Sequence, residues 1–282
     1  MPELNSIRQS NPEMKLAVSN IAWYPGEIDD FITLLSSLRC EGIELAANMI
    51  WDEPIDVSIT KRKELRAKIE DAGLKVTGLQ SLLYTHPEFV LFNGKHLRTR
   101  MIDYLSKTME VCRDLGGEVL VFGSPRNRNK GNIAEHKAYS IAVEFFSIMG
   151  RIAQENGVCF CIEPLGRTET NFINTVKDAE RLIKDVGKSG LGLHIDAKGL
   201  IDAKEYDAPY LIDSFSNAKH FHVNDSNLKP PGSTGFDHSL ISSILQRSEY
   251  SRYISIEMRR IDDDVVGVIK KAVEYVNKTY FQ

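Results

Sequence analysis

The chain has 282 residues, a formal net charge of -4 and 42% hydrophobic residues, a composition typical of a folded globular protein. The acidic balance argues against a surface built mainly to bind nucleic acid or an anionic membrane. No apolar run approaches the roughly 20 residues that span a bilayer, and the N-terminal stretch lacks the basic-then-apolar order of a signal peptide. We therefore expect a cytoplasmic protein without a membrane partner.

From Met14 onward, short segments rich in β-branched and apolar residues alternate with longer amphipathic segments. Residues 1–13 are polar and lack periodicity, so they predict a short N-terminal arm. Eight segments are predicted strands: KLAVSNIAW from Lys15, GIELA from Gly42, KVTGLQSLL from Lys75, EVLVFG from Glu118, VCFCIEP from Val158, LGLHID from Leu191, KHFHVND from Lys219 and YISIEM from Tyr253.

Helical patterns fill the gaps between these strands. The helix that begins at Thr60 has Gly73 as its predicted stop, and Thr175 opens another with the Thr-x-x-Asp pattern of a capping box. Eight strand and helix units predict a single α/β domain, a (β/α)8 TIM barrel over residues 14–282. A doubly wound open sheet is the alternative, but SNIAWYPG after the first strand has no GxGxxG turn.

The four cysteines are expected to be reduced thiols. Cys40, Cys112, Cys159 and Cys161 form no CxxC pair, and the last two lie inside an apolar run. This usage is typical of buried free cysteines and argues against disulfide or zinc roles.

Four polar residues lie at the ends of consecutive predicted strands. Glu163 ends the fifth strand, Asp196 the sixth and Glu257 the eighth, and His222 lies near the end of the seventh. Each is separated from the next by about one strand, one helix and their loops. Because a TIM barrel places its chemistry at the C-terminal ends of its strands, we expect these side chains to converge at one rim.

Three carboxylates near an apolar interior repel one another, and their pKa values rise unless a positive charge lies among them. A divalent cation is the simplest remedy, and one nitrogen with several carboxylate oxygens favours manganese, magnesium or cobalt, with zinc kept as an alternative. Taken singly, each residue is as well explained as a helix cap or a surface salt bridge. His194 and His220, one pleat deeper, are predicted to be hydrogen-bonded core histidines.

Six segments carry a resemblance to a known family: GIEL at 42–45, FGSP at 122–125, IEPLGRTETNFINT at 162–175, GLHID at 192–196, HFHVND at 220–225 and SIEM at 255–258. In this order and spacing the chain resembles the xylose isomerase-like TIM barrel superfamily, the sugar phosphate isomerase/epimerase group that also includes endonuclease IV. The resemblance implies that Glu163, Asp196, His222 and Glu257 hold one divalent metal ion, and that Glu163 and Glu257 are the catalytic acid and base. It implies isomerisation or epimerisation of a small sugar or sugar derivative by proton abstraction and an enediolate intermediate.

Substrate-binding residues are predicted on the rim loops. Arg126 and Arg128, in GSPRNRNKGN, form a candidate anion clamp that suits a phosphorylated or acidic sugar, and a solvated basic loop is an equal alternative. Lys198 and Arg167 lie on neighbouring loops and add to the same positive field. Trp23 is a candidate pocket wall.

Two departures from the family pattern leave the sugar open. Many sugar epimerases of this group have a histidine where this chain has Gly199, and often an arginine where it has Leu228. Those side chains help to hold the sugar in the relatives, so the known ketohexose epimerases are poor guides to this substrate.

Three other functions are weighed. A lyase resembling the inosose dehydratases uses the same metal and base. An endonuclease IV-like enzyme needs three zinc ions and further histidines, where this chain has Gln80, Gly123 and Gly199. A sugar-binding barrel without activity has no need of two such glutamates. We expect a small carbohydrate partner and no nucleic acid, and leave open whether the protein forms a homo-oligomer.

Overall fold

The structure is a computed structural model, and it describes residues 14–281. Eight parallel strands close into one barrel in chain order, with the last strand pairing with the first. The strands are β1 Lys15–Ser19, β2 Gly42–Ala46, β3 Lys75–Gln80, β4 Val119–Phe122, β5 Cys159–Ile162, β6 Leu191–Asp196, β7 His220–Val223 and β8 Tyr253–Ile256. The predicted barrel is confirmed, and the closure of the sheet excludes the doubly wound alternative. The predicted arm, residues 1–13, lies outside the described residues.

Every strand is followed by at least one α-helix. The helices are α1 Ile28–Ser37, α2 Ile59–Asp71, α3 Lys95–Leu115, α4 Glu135–Asn156, α5 Val176–Val186, α6 Ala197–Ala203, α7 Ala208–Asn217, α8 Ser239–Gln246 and α9 Val265–Tyr280. Both α6 and α7 lie between β6 and β7. Among the described residues, none of the helices combines the length and the apolar character that crossing a bilayer requires.

Local sequence signals set the element boundaries. The capping box of α5 is confirmed, because the Thr175 hydroxyl accepts the Asp178 N–H (3.1 Å) and the Asp178 carboxylate accepts the Thr175 N–H (3.0 Å). Gly73, past the end of α2, adopts φ +81°, a left-handed conformation that glycine reaches without strain. The predicted first strand is too long, because residues 20–22 form a 3₁₀ turn after Ser19.

The inside of the barrel carries polar side chains among the apolar ones. Gln80 on β3 donates to Ser19 on β1 (2.9 Å), and Glu44 on β2 contacts residues of β7 and β8, which are not its neighbours in the sheet. These side chains therefore meet across the barrel interior. A TIM barrel is usually filled by branched apolar residues, so a buried polar network at this level calls for a functional explanation.

The four cysteines are free, as predicted. Cys159 and Cys161 lie on one face of β5 with their sulfur atoms 3.8 Å apart. Burial raises the pKa of the Cys112 thiol well above its ordinary range, which suits an unreactive core residue.

Candidate metal centre and active site

The C-terminal ends of the strands enclose a cavity of about 210 Å³. Glu163, Asp196 and Glu257 all line it, one each from the ends of β5, β6 and β8. His222 on β7 is fully buried and pairs in register with Asp196. The other lining residues include small polar and apolar side chains and two charged ones: Gln80, Ser81, Tyr84, Val121, Gly123, Ser124, Pro125, Leu165, Glu169, Lys198, Gly199 and Leu228.

The predicted convergence of polar side chains is present at this rim. One ligand-type atom from each of Glu163, His194, Asp196 and His222 lies within 4.8 Å of the others. Nδ1 of His222 is 3.3 Å from a carboxylate oxygen of Glu257. The fourth predicted metal-binding residue, Glu257, is thus in contact with this cluster.

Asn224 ties two of the carboxylates together. Its side-chain amide donates to Asp196 (2.7 Å) and to Glu257 (3.2 Å), while its oxygen accepts the backbone N–H of Lys198 (3.1 Å). Asp196 also caps α6 by accepting the Gly199 N–H (2.7 Å). Asp196 therefore caps a helix, as considered from the sequence, and it also belongs to the cluster of polar side chains.

Crowding of the carboxylates changes their acidity. Burial, with the negative charge of Glu257 adding to it, raises the pKa of Asp196 to about 6. Burial and the charges of Asp196 and Glu257 raise the pKa of Glu163 well above its usual range. Without a cation, these groups keep their protons to a higher pH than ordinary carboxyls do, which is the repulsion expected from the sequence.

The donor set fits a divalent cation. Nδ1 of His222 is buried without a hydrogen-bond partner, while Nε2 of the same ring is hydrogen-bonded to Glu44 (2.8 Å). A free imidazole nitrogen beside two buried carboxylates and a partly buried one is the mixed nitrogen and oxygen set that manganese, magnesium, cobalt or zinc accepts.

The two deeper histidines differ from each other. His220 is a hydrogen-bonded core histidine, as predicted, because its Nε2 lies 3.0 Å from Glu44. The same prediction is wrong for His194, since both of its ring nitrogens are buried without a partner and Nε2 is 3.8 Å from Glu163. Burial lowers the pKa of His194 well below its ordinary value, so the ring is neutral.

Sequence reasoning missed Glu44 and Asn224. Glu44 carried a signal, since a carboxylate in the middle of the apolar segment GIELA must find buried partners. Asn224 follows a strand in the motif HFHVND, where it looks like an ordinary turn residue. No local pattern distinguishes it from one.

Of the predicted substrate-binding residues, Lys198 lines the cavity. Its ammonium group lies 2.8 Å from Glu169 and 2.6 Å from Asp202. The ion pair with Glu169 joins the loop after β5 to α6. The charge of Lys198 is therefore already matched by two carboxylates.

Arg128 is buried beside this site, and none of its three guanidinium nitrogens has a hydrogen-bond partner. The guanidinium lies 5.9 Å from the centre of the Phe122 ring. Burial lowers the pKa of Arg128 to about 10, and the charges of Glu163 and Glu169 oppose that shift. Arg128 therefore adds a positive charge close to Glu163.

The remaining three predicted substrate-binding residues lie outside the lining of the cavity. Arg126 is exposed, Arg167 is exposed at a separate polar pocket beside Asn171, and Trp23 is buried in a parallel stack on Phe31 (4.5 Å between ring centres). Their roles in substrate binding stay predictions.

The loop after β7 is held by side-chain contacts that reach the end of α9. Asp225 contacts Nε2 of His238 (2.8 Å), and Nδ1 of that ring contacts the hydroxyl of Tyr280 at the end of α9 (2.7 Å). The anchored loop places Leu228 at the cavity, with Asn227 and Leu228 at φ +61° and +54°. The left-handed conformation costs a residue such as Leu228 roughly 1–2 kcal/mol, whereas asparagine adopts it readily, so the loop is strained at Leu228.

Comparisons with known proteins agree with this architecture. A family model described as xylose isomerase-like TIM barrel matches residues 32–279, which confirms the resemblance seen in the sequence. A 3-dehydro-D-guloside 4-epimerase of Escherichia coli is 21% identical over 93% of this chain and 99% of its own length. A D-psicose 3-epimerase from Clostridium cellulolyticum, solved with D-tagatose, superposes with a TM-score of 0.80 at 17% identity, covering 95% of this chain and 99% of its own. The IOLI protein, solved with a zinc atom, gives a TM-score of 0.74 at 19% identity, covering 95% of this chain and 100% of its own.

Proposed function

We propose that this chain, which belongs to the xylose isomerase-like TIM barrel family, is a divalent-metal-dependent isomerase or epimerase of a small keto sugar or sugar derivative. The observation that carries the proposal is the meeting of Glu163, Asp196 and Glu257 at one cavity, with the buried, unpartnered Nδ1 of His222 beside them. The sugar epimerases among its relatives support the reaction class.

Glu163, Asp196, His222 and Glu257 would hold the cation. When bound, it would polarise the carbonyl and neighbouring hydroxyl oxygens of the sugar and offset the negative charge of an enediolate. Manganese, magnesium and cobalt suit the oxygen-rich set, and the zinc in one structural neighbour keeps zinc as an alternative.

The two glutamates supply the proton transfers. Glu163 follows β5 and Glu257 follows β8, three strands further around the barrel, so their carboxyl groups approach a bound sugar from different sides. One carboxylate would remove the proton next to the carbonyl, and the other would return a proton to the opposite face, which inverts that carbon. Return of the proton to the neighbouring carbon would instead interconvert an aldose and a ketose.

The substrate that fits best is a neutral keto sugar. The cavity of about 210 Å³ is small, and Lys198, the cation that lines it, is paired with Glu169 and Asp202. Arg128 is unpaired but does not line the cavity. We therefore favour an uncharged substrate over the phosphorylated or acidic sugar considered from the sequence.

The test measures metal content by mass spectrometry, and then deuterium incorporation from heavy water into ketohexoses, dehydro-glycosides, sugar phosphates and inososes. We expect metal-dependent exchange into a ketose or dehydro-glycoside, abolished by Glu163→Gln and by Glu257→Gln. Glu155→Gln, at an exposed surface ion pair with Arg151, is the matched control and should retain exchange. Absence of exchange from every compound with metal bound would contradict the proposal.

The lyase alternative uses the same residues, but its product differs. A lyase would convert an inosose to a product that has lost water, whereas an isomerase or epimerase would only exchange hydrogen for deuterium. An endonuclease IV-like trinuclear site is not supported. In the part of the chain that the structure describes, the two candidate metal clusters share His222, and the second consists of Glu44, His220 and His222 at hydrogen-bond distances.

A further inference from the structure

The carboxylate of Glu44 lies in the barrel interior below the cavity and is completely buried. Its oxygens lie 2.8 and 3.0 Å from Nε2 of His222 and 3.0 Å from Nε2 of His220. The hydroxyl of Ser255 donates to it as well (2.7 Å). Glu44 therefore contacts three side chains from β7 and β8, across the barrel from its own strand.

Glu44 acts in this network as an acceptor. Two ring nitrogens and one hydroxyl lie at hydrogen-bond distance from its oxygens, and a carboxyl group could offer at most one proton to three such groups, so the contacts are those of an ionised acceptor. An ionised carboxylate has no proton to donate, so each ring nitrogen that faces it must carry a hydrogen. Nε2 of His222 therefore carries a hydrogen.

The second nitrogen of the same ring has the opposite environment. Nδ1 of His222 has no hydrogen-bond partner and lies 3.3 Å from Glu257, on the side of the cavity. A flip of the ring would place carbon atoms against Glu44 and leave a buried acceptor without a donor, at a cost of roughly 1–3 kcal/mol. One ring orientation is thus strongly favoured.

We propose that Glu44 is a positioning residue that fixes the tautomer and orientation of His222, so that Nδ1 is the nitrogen presented to the cation. The inference rests on the metal-dependent function proposed above. It goes beyond that function because it assigns metal affinity to a residue that contacts neither the sugar nor the cation. A carboxylate behind a ligating histidine raises the basicity of the ring, and loss of such a partner typically weakens metal binding by about 10–100-fold.

A second cation held by Glu44, His220 and His222 is the competing explanation. The nitrogen to oxygen distances of 2.8–3.0 Å are those of hydrogen bonds. The hydroxyl of Ser255 donates to the same carboxylate, which fits a hydrogen-bonded network, and the number of Mn²⁺ ions bound per chain separates the two explanations.

The test compares Mn²⁺ affinity, measured by competition with a fluorescent chelator, in the wild type and in Glu44→Gln, Glu44→Asp and Ser255→Ala. We expect one Mn²⁺ per wild-type chain, affinity about 10–100-fold weaker in Glu44→Gln, and partial recovery in Glu44→Asp because the charge returns. Ser255→Ala removes a neutral donor from the same carboxylate and should change affinity by about threefold or less. Circular dichroism checks that each variant is folded. If Glu44→Gln does not fold, the Mn²⁺ affinity of Glu44→Asp is compared with that of the wild type instead.

The crystal structure of the Mn²⁺ complex gives an independent readout, with Nδ1 of His222 as the expected ligand atom. Wild-type affinity in Glu44→Gln, ligation through Nε2, or a second Mn²⁺ that depends on Glu44 would each overturn the inference. Absence of Mn²⁺ binding in the wild type would instead overturn the proposed function itself, and it would be seen before any substitution is made.

Discussion

Gly123 lies directly against the carboxylate of Glu163, so closely that a Cβ atom at position 123 would overlap a carboxylate oxygen. Gly123 follows β4, the strand beside β5, and both residues line the cavity. The absence of a side chain at position 123 therefore sets where the Glu163 carboxylate can lie.

Gly123→Ala should displace the Glu163 carboxylate without unfolding the barrel. A displacement of about 1 Å in a catalytic group can cost about 100-fold in rate, and overpacking costs about 1–3 kcal/mol in stability. We expect deuterium exchange to fall by about 100-fold. Gly131→Ala is the control, because nothing lies within 4 Å of its added Cβ, and only its left-handed backbone opposes the change. Wild-type exchange in Gly123→Ala would contradict the assignment of Glu163.

The raised pKa of Asp196 predicts how metal binding depends on pH. The folded pKa of Asp196, about 6, exceeds its ordinary value of 3.8, so the metal-free folded state binds more protons than the unfolded state between these values. Its free energy of unfolding should therefore fall as the pH rises through this window. A cation competes with the same protons, so the increase in Tm caused by Mn²⁺ should be larger at about pH 7.5 than at about pH 5. Equal shifts at both pH values, or a shift that survives in Asp196→Asn, would contradict this prediction.

The position of the site could be predicted because four polar residues end consecutive strands, and the ends of parallel strands in a barrel meet at one rim. Glu44 could not be placed in the same way. It contacts His222, 178 residues away, across the barrel and not along the sheet. Local periodicity carries no information about such contacts. The burial of Arg128 was equally hidden, since one 3₁₀ turn buries it and leaves Arg126 exposed.

Arg128→Met tests what an unpaired buried charge does for the protein. Replacement of a buried charge by an apolar side chain of similar size is often neutral or stabilising by about 1–4 kcal/mol. We expect Arg128→Met to raise the free energy of unfolding by about 1–2 kcal/mol, and to slow deuterium exchange, because a positive charge near Glu163 is lost. Arg126→Met, at an exposed position of the same loop, should change neither quantity. A strongly destabilised Arg128→Met variant would show that the guanidinium has partners in solution.

Lys198→Met should cost more stability than the loss of an exposed ion pair. Lys198 lies between Glu169 and Asp202 and is largely buried, whereas Lys68 pairs with Asp29 at the surface. Urea unfolding should give a loss of about 1–3 kcal/mol for Lys198→Met and about 0.5 kcal/mol or less for Lys68→Met. We also expect KM for the substrate to rise, since this bridge joins two loops of the cavity rim. Equal losses in the two variants would show that the bridge contributes no more than a surface pair.

The contact chain from Asp225 through His238 to Tyr280 links the cavity rim to the last turn of α9. During synthesis, Glu163, Asp196, His222 and Glu257 all leave the ribosome before Tyr280 does. A nascent chain thus has the residues proposed to bind the metal while the strained loop beside them still lacks its anchor. The anchor of this loop therefore becomes available only when α9 packs against the barrel.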